Sequence, residues 1–335
     1  MRRALQLRFD VVEVTDDTPG PLLLRHLRLL PRLLKALAGQ QDLVFVGFYG
    51  QMLSLLLTRL TRKPVIFDAF LSTYDTLCFD RARFGPHSIR GELAFWLDKQ
   101  SCRAANHCLL DTRMQKRYFV DRFGIADSKI SAFYVGYDAK LFYPRPEAAS
   151  SDRFTVFYYG SFLPLQGISY IVQAAKLLEA EQDIEFRIIG GGMMYPHVRR
   201  LADELRVQRL TFAPAVPYQE LPTAIAGASV CLGGPFGSTA KAHRVIATKT
   251  YQFLAMAKPT IVGDSSANHE LFTHGDDVWM CEMADAQALA SAILALKGDA
   301  SLRRRIGQRG HEHCRDEFSI EKQAHRLSRI ISELL

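Results

Sequence analysis

The chain of 335 residues is 48% hydrophobic and 23% charged, with a formal net charge of +7 and a pI near 9.1. That length suits two domains of ordinary size, and the composition is that of a soluble globular protein, which excludes fibrous and disordered classes. The moderate basic balance admits an acidic ligand or an anionic membrane surface; without zinc-finger spacing or a glycine–aromatic RNA motif, no metal site and no nucleic-acid partner are expected.

Met1 to Arg8 (MRRALQLR) reads as the tail of a helix, and Phe9 to Thr15 (FDVVEVT) as the strand after it. A parallel α/β domain of the nucleotide-binding type opens with a strand and a glycine-rich loop before that helix, and neither is here: either the true start lies upstream, or the first β–α unit is missing. Pro21 to Leu37 places Arg25, Arg28, Arg32 and Lys35 at intervals of three, four and three, a single basic stripe on a helix. Leucines populate the rest, and Pro31 is expected to start or kink the helix. Two readings stand for this segment: leucines packed on the sheet with a solvated stripe, or a helix lying on anionic lipid.

Asp42 to Gly47 is a buried parallel strand by its unbroken apolar run, Gln51 to Thr61 a helix, and Pro64 to Phe67 the next strand. The polar run that follows carries Asp68, Ser72, Asp75 and Asp80, of which Ser72 and Asp75 are good helix caps. Helices over Ile89 to Ala105 and Thr112 to Phe123 flank the strand His107 to Asp111. Ser131 to Val135 is the last strand before a linker, Pro144 to Asp152. Six scattered cysteines (Cys78, Cys102, Cys108, Cys231, Cys281 and Cys314) form no CxxC pair, which points to reduced, partly buried thiols. No signal-peptide pattern and no run of about eighteen apolar residues occurs, so no membrane span is expected.

The second half opens with the strand Phe154 to Tyr159, ending at Gly160, and the helix Ile168 to Ala180. Ile184 to Ile189 is the next strand, before Gly190, Gly191 and Gly192, and Leu210 to Ala213 another. Then come a strand (Ala228 to Leu232), a glycine- and lysine-bearing loop, a helix (about Ile246 to Met256) and a strand (Thr260 to Gly263). The loop lies between the carboxyl end of a strand and the amino end of a helix, where open parallel sheets bind ligands. Gly233, Gly234 and Gly237 permit close backbone approach, and Lys241, Arg244 and Lys249 add positive charge. With the free amides of the helix N-terminus, this suits an anion, most simply a diphosphate. The alternative is a strand–loop–helix unit carrying three solvated cations. Helices Ala284 to Leu296 and Ala300 to Gly307 precede a terminal amphipathic helix, Ser319 to Leu335.

The run Phe236, Gly237, Lys241, Ala242, Arg244, Val245, Ile246, Lys249, Tyr251, Gln252, Leu254, Ala255, Lys258 and Pro259 resembles the donor-binding segment of the family 4 glycosyltransferases. A second match, Asp68 with Ser72, Tyr74, Asp75, Thr76, Asp80 and Arg81, resembles one branch of the same family. The resemblance covers the chain from about Phe9. It implies the GT-B fold: two Rossmann-like doubly wound α/β domains facing a cleft. Residues 1–146 would be the acceptor-side domain, 147–318 the nucleotide-sugar domain, and 319–335 a helix crossing back to the first.

The activity implied is retaining transfer of a hexosyl group from a UDP- or GDP-linked sugar to a glycan or lipid-linked acceptor, in cell-surface polysaccharide or glycolipid synthesis. The donor is the substrate, with no further cofactor and no metal. Gly160, Gln166, Gly190, Gly191, Val216, Phe236, Gly237, Lys241, Lys249 and Gln252 fall in donor-binding places, and Asp68 and Arg244 in catalytic ones. The family has two glutamates eight positions apart where this chain has Arg244 and Gln252, and an arginine and a lysine where it has Ser161 and Gln166. Gln252 can still bond a ribose hydroxyl, whereas Arg244 accepts no hydrogen bond and suits phosphate or a sugar carboxylate. The expected setting is the cytoplasm, peripheral on the inner face of the membrane through residues 21–37. A rival reading is a non-catalytic GT-B protein, acting as a partner subunit or nucleotide-sugar sensor. A nucleotide-sugar epimerase on the same scaffold is not matched by the local motifs.

Overall fold

The computed structural model describes residues 1–16, 18–145 and 153–335, leaving aside the side chains of residues 22 and 23. Apart from Pro144 and Arg145, the expected linker lies outside the described residues. The chain divides into two compact units. The first comprises Met1–Tyr74, Phe84–Phe133 and Glu321–Leu335; the second comprises Asp75–Arg83 and Tyr134–Ile320.

In the first unit, α1 (Arg2–Gln6) and α2 (Leu22–Leu37) precede β1 (Val44–Val46), α3 (Gln51–Leu60) and β2 (Val65–Phe70). The turn α4 (Thr73–Asp75) leads into a π-helical turn, Thr76–Asp80, which belongs to the second unit, and the first unit resumes with α5 (Ile89–Ala104), β3 (His107–Leu110), α6 (Arg113–Phe123) and β4 (Ile130–Ala132). The four strands are parallel and stand in sequential order, β1-β2-β3-β4. Strands buried on both faces must read as unbroken apolar runs, as Val65 to Phe67 and Cys108 to Leu110 do. Thr112 caps α6 by accepting the Gln115 amide at 3.0 Å, and Gly124 ends it in the left-handed conformation. Ile66, Leu109 and Phe133 pack against Leu327 and Ile331 of the last helix.

Three expectations change here. Phe9 to Thr15 joins no ladder among the described residues, because hydrogen-bonding partners, not β-propensity, decide strand membership. Helix α2 runs through Pro31 without interruption. Its basic stripe is partly engaged: Arg25 donates to the Asp16 carbonyl, Arg28 pairs with the Asp16 carboxylate at 2.7 Å, and Arg32 reaches the Thr15 carbonyl at 3.4 Å.

The second unit contains β5 (Phe154–Ser161), α7 (Ile168–Leu177), β6 (Ile184–Gly191), α8 (Tyr195–Glu204), β7 (Leu210–Ala213), α9 (Leu221–Ala226) and β8 (Val230–Leu232). It continues with α10 (Thr248–Ala255), β9 (Thr260–Gly263), β10 (Trp279–Cys281), α11 (Ala286–Gly298), α12 (Ala300–Phe318) and the start of α13 (Ile320–Ser332). All six strands are parallel, in the order β10-β9-β8-β5-β6-β7. Read outward from β5, this is the Rossmann order, with its reversal between β5 and β8. Apolar clusters lie on both faces, one around Ile171, Val230 and Ile293 and one around Phe157, Phe253 and Leu254. Each such fully buried side chain contributes on the order of 1.5–3 kcal/mol. β10 has no counterpart among the predicted strands, and α10 begins at Thr248, two residues after the predicted start. All six cysteines are buried and unbridged.

Candidate functional site

Ligands of doubly wound sheets sit beyond the carboxyl ends of the strands where the order reverses. In the second unit that point is framed by the loops after β5, β6 and β8. The ends of β5 and β6 touch so closely that Gly190, at φ +135°, has room for no side chain: a Cβ would lie 2.1 Å from the Gly160 carbonyl oxygen. Gly160 and Gly191 belong to the same paired strand ends. The loop after β8 docks on the turn after β5 through the backbone. The Phe236 amide donates to the Gln166 carbonyl (3.3 Å) and the Gly237 amide to that of Leu165 (3.0 Å). A Cβ on Gly237 would fall 2.5 Å from the Pro164 oxygen, which explains this glycine as packing. Phe236 is itself a core residue, 1% exposed.

Lys249, in the first turn of α10, is buried and donates to Gln166 Oε1 at 2.5 Å, with its Nζ 4.6 Å from the Tyr158 ring centroid. Tyr158 also donates to Gln166 Oε1, at 3.3 Å. Burial lowers the Lys249 pKa to about 7, because the charged form has lost its water. The ammonium is thus held by one neutral acceptor and one aromatic face, beside Gly160 and at a helix N-terminus. This is a cationic site suited to an anion.

Further along α10, Gln252 is buried, and its Nε2 donates to the Tyr218 hydroxyl at 3.4 Å. Its Oε1 has no hydrogen-bond partner among the described residues. Val216 packs against the neighbouring apolar cluster.

The other two cations go elsewhere. Arg244 Nη2 lies 2.8 Å from Asp75 Oδ2, and Lys241 donates to the Thr76 hydroxyl at 2.6 Å. Asp80 accepts the Leu165 amide at 3.1 Å; burial raises its pKa, opposed by nearby Lys241. The structure therefore sorts the three basic residues into two groups: Lys249 with Gln166 and Tyr158, and Lys241 and Arg244 with the segment Asp75–Asp80. Expectations of helix capping at Asp75 and of solvated cations give way to buried pairing, at 3% exposure for Lys241. Lys258 is also structural, its ammonium donating to the carbonyls of Ala226 and Ala228.

Asp68 belongs to the first unit, near the end of β2, where burial raises its carboxyl pKa to about 6. The ladder to β3 shifts register beside it, and Phe70 adopts φ +59°, a strained value for an aromatic residue. Ser72, read as a cap, donates instead to buried Asp98 at 2.7 Å. Among the described residues, no cluster of histidine, cysteine and carboxylate side chains is placed to hold a metal ion. Sequence reasoning did not single out Tyr158 or Asp98; no local pattern marks either, since each acts through a partner distant in sequence.

Comparison with known proteins fits this arrangement. Two parallel-sheet α/β units are shared with sucrose-phosphate synthase from Thermosynechococcus elongatus, at a TM-score of 0.75 and 18% identity over 96% of this chain and 82% of that one. Anabaena HepE, solved in complex with UDP, aligns at a TM-score of 0.74 and 14% identity over 99% and 89% of the two chains. The fold is GT-B. Residues 153–299 match the family described as "Glycosyl transferases group 1". A lipopolysaccharide core biosynthesis glycosyltransferase, LpsD of Rhizobium meliloti, is 26% identical over 172 residues, 50% of this chain and 46% of LpsD. A GDP-mannose-dependent monoacylated phosphatidylinositol monomannoside mannosyltransferase of Corynebacterium glutamicum is 25% identical over 213 residues, 58% of this chain and 54% of the relative. The chain spans about half the length of the curated relatives it matches.

Proposed function

We propose that this protein is a retaining glycosyltransferase that moves a hexosyl group from a UDP- or GDP-linked sugar to a glycan or lipid-linked acceptor. The observation that carries the reading is Lys249, a buried ammonium paired, among the described residues, with a neutral amide and a ring, and set at a helix N-terminus beside Gly160. Diphosphate oxygens would supply the missing counter-charge and stabilise the leaving group by preorganised electrostatics. The orphan acceptor Gln252 Oε1 supports a ribose hydroxyl as its partner. LpsD and the corynebacterial mannosyltransferase, by their names, act in lipopolysaccharide and phosphatidylinositol mannoside synthesis, which supports a surface glycolipid or polysaccharide as product. We assign the acceptor side to the first unit, with Asp68 as its catalytic carboxyl group.

An anionic membrane surface is the proposed setting. Leu24, Leu27 and Leu34 are each about half exposed, and Arg28, Arg32 and Lys35 stand exposed on the adjoining face of α2. Such a helix rests on anionic lipid by shallow leucine insertion and charge attraction. No helix among the described residues is long and apolar enough to cross a membrane.

One observation favours the rival reading, a non-catalytic sensor or partner subunit: Arg244, in place of a sugar-binding glutamate, is engaged by Asp75. Measuring release of UDP and GDP from a panel of nucleotide sugars separates the two. Turnover with any donor supports the transferase; nucleotide binding without turnover, with or without glycan and lipid acceptors, supports the sensor.

A further inference from the structure

Lys249 carries its ammonium on a flexible four-carbon stem, so the direction of the charge has to be imposed by its neighbours. Tyr158 imposes it twice. Its ring centroid lies 4.6 Å from Lys249 Nζ, and its hydroxyl donates at 3.3 Å to Gln166 Oε1, the oxygen that accepts from Lys249 at 2.5 Å. The ring itself is fixed by packing: it is fully buried in the apolar cluster with Val156 and Ile188, and meets Phe162 edge-on at 6.4 Å. Alternation along β5 puts Tyr158 and Gly160 on the same face of the strand. A Cβ on Gly160 would stand over both polar ends, 3.4 Å from the Tyr158 hydroxyl and 3.6 Å from Lys249 Nζ, and its φ of +145° favours glycine. The acceptor between the two donors has to present oxygen, because an ammonium only donates and an amide NH2 turned toward it would oppose donor to donor. It also has to be neutral, since a carboxylate there would hold the ammonium but cancel the charge that an anion seeks.

We propose that Tyr158 is a positioning residue of this site: its hydroxyl fixes the Gln166 amide with Oε1 toward Lys249, and its ring backs the ammonium, so the charge is aimed at the diphosphate without being neutralised. The inference rests on the reading of Lys249 as the cation that meets the diphosphate. Tyr158 faces Lys249 as a titratable group, but burial pushes its phenol far above neutral pH, so the hydroxyl stays a donor wherever nucleotide binding is measured. Touching Lys249 by its ring and Gln166 by its hydroxyl, Tyr158 acts through these two side chains rather than on the nucleotide.

The test compares UDP and GDP with uridine and guanosine, by titration calorimetry on the full chain between pH 6.5 and 9. Tyr158→Phe keeps the ring and loses the hydroxyl. It should weaken binding of the nucleoside diphosphates by about three- to tenfold, the range of one neutral hydrogen bond, and leave the nucleosides unchanged. It should also shift the fall of affinity to lower pH, because an ammonium with a less secure acceptor gives up its proton more readily. Gln166→Glu should act in the opposite sense on the profile. The added carboxylate raises the Lys249 pKa and removes the fall below pH 9, while affinity at pH 7 drops by about tenfold or more as the anion meets a neutralised site. A merely structural role for Tyr158 would move neither the pH profile nor the contrast between nucleotide and nucleoside. Equal losses for nucleotides and nucleosides, or a Tyr158→Phe profile that matches wild type or moves to higher pH, overturns the positioning role and leaves the diphosphate reading standing. If Tyr158→Phe does not fold, Gln166→Glu decides, a wild-type profile in that variant overturning the proposal. Unchanged nucleotide binding by Lys249→Ala overturns both.

Discussion

The guanidinium of Arg244 and the carboxylate of Asp75 lie 2.8 Å apart, 169 positions apart in sequence, with side chains only 15% and 3% exposed. An ion pair this buried is held by its environment more than it holds the fold together, but removing one partner strands the other charge. Arg244→Met and Asp75→Asn should each lower stability by about 3–5 kcal/mol, and the double variant by clearly less than the sum. Additive losses in chemical denaturation would show that the two residues act independently.

Lys249→Ala should weaken UDP or GDP binding by about 1.5–3 kcal/mol, the size of a hydrogen bond to a charged group. Titration calorimetry with both nucleotides measures it. Unchanged affinity for both would remove Lys249 from the diphosphate site.

The same lysine predicts a pH dependence of known sign. Its pKa in the empty site is lowered to about 7 by burial, so raising the pH removes the proton that an anion needs. Nucleotide affinity should therefore fall by about tenfold per pH unit above 7, until the bound-state pKa is passed. Lys249→Met should flatten this profile. A wild-type affinity constant between pH 6.5 and 9 contradicts the assignment.

Gln252→Glu should keep or strengthen nucleotide binding, because a carboxylate accepts from two ribose hydroxyls where the amide offers one oxygen. Deoxyribose analogues supply the check: the gain should vanish with 2′,3′-dideoxy nucleotide diphosphates, and a gain that persists argues against ribose contact.

At the surface of α2, replacing Arg28, Arg32 and Lys35 by Gln should reduce flotation with anionic liposomes at low salt. Each charge contributes on the order of 1 kcal/mol, with Arg28 less because Asp16 already holds it. Replacing Leu24, Leu27 and Leu34 by Ser should reduce binding at both low and high salt. Equal recovery with neutral and anionic lipid would exclude charge-driven attachment by this helix.

Much of the second unit was legible because its strands are unbroken apolar runs punctuated by glycine, as in Phe154 to Gly160 and Ile184 to Gly190. Charge marked Lys249 on the helix that became α10, whereas Gln252 was marked only by the family resemblance. The partners of Lys241 and Arg244 were not legible: Thr76 and Asp75 lie more than 160 positions away, and both cations sit close enough in sequence to Lys249 to suggest a single cluster. Phe9 to Thr15 forms no strand because pairing depends on an edge that the sequence does not display. β10 was missed because Trp279–Cys281 is too short to show a period.

Nine residues of the amino-terminal half, Asp75 to Arg83, are counted with the second unit. The stretch that matches the group 1 glycosyl transferases is thus contiguous, over residues 153–299, while the compact unit that contains it is composite. A gene fragment cut at the linker would carry the whole signature and still lack Asp75, Thr76 and Asp80. Shuffling carboxyl-terminal halves between relatives would likewise set each new loop against an inherited nine-residue insert. Exchange of this half between genes therefore calls for coordinated change at two separated stretches of sequence.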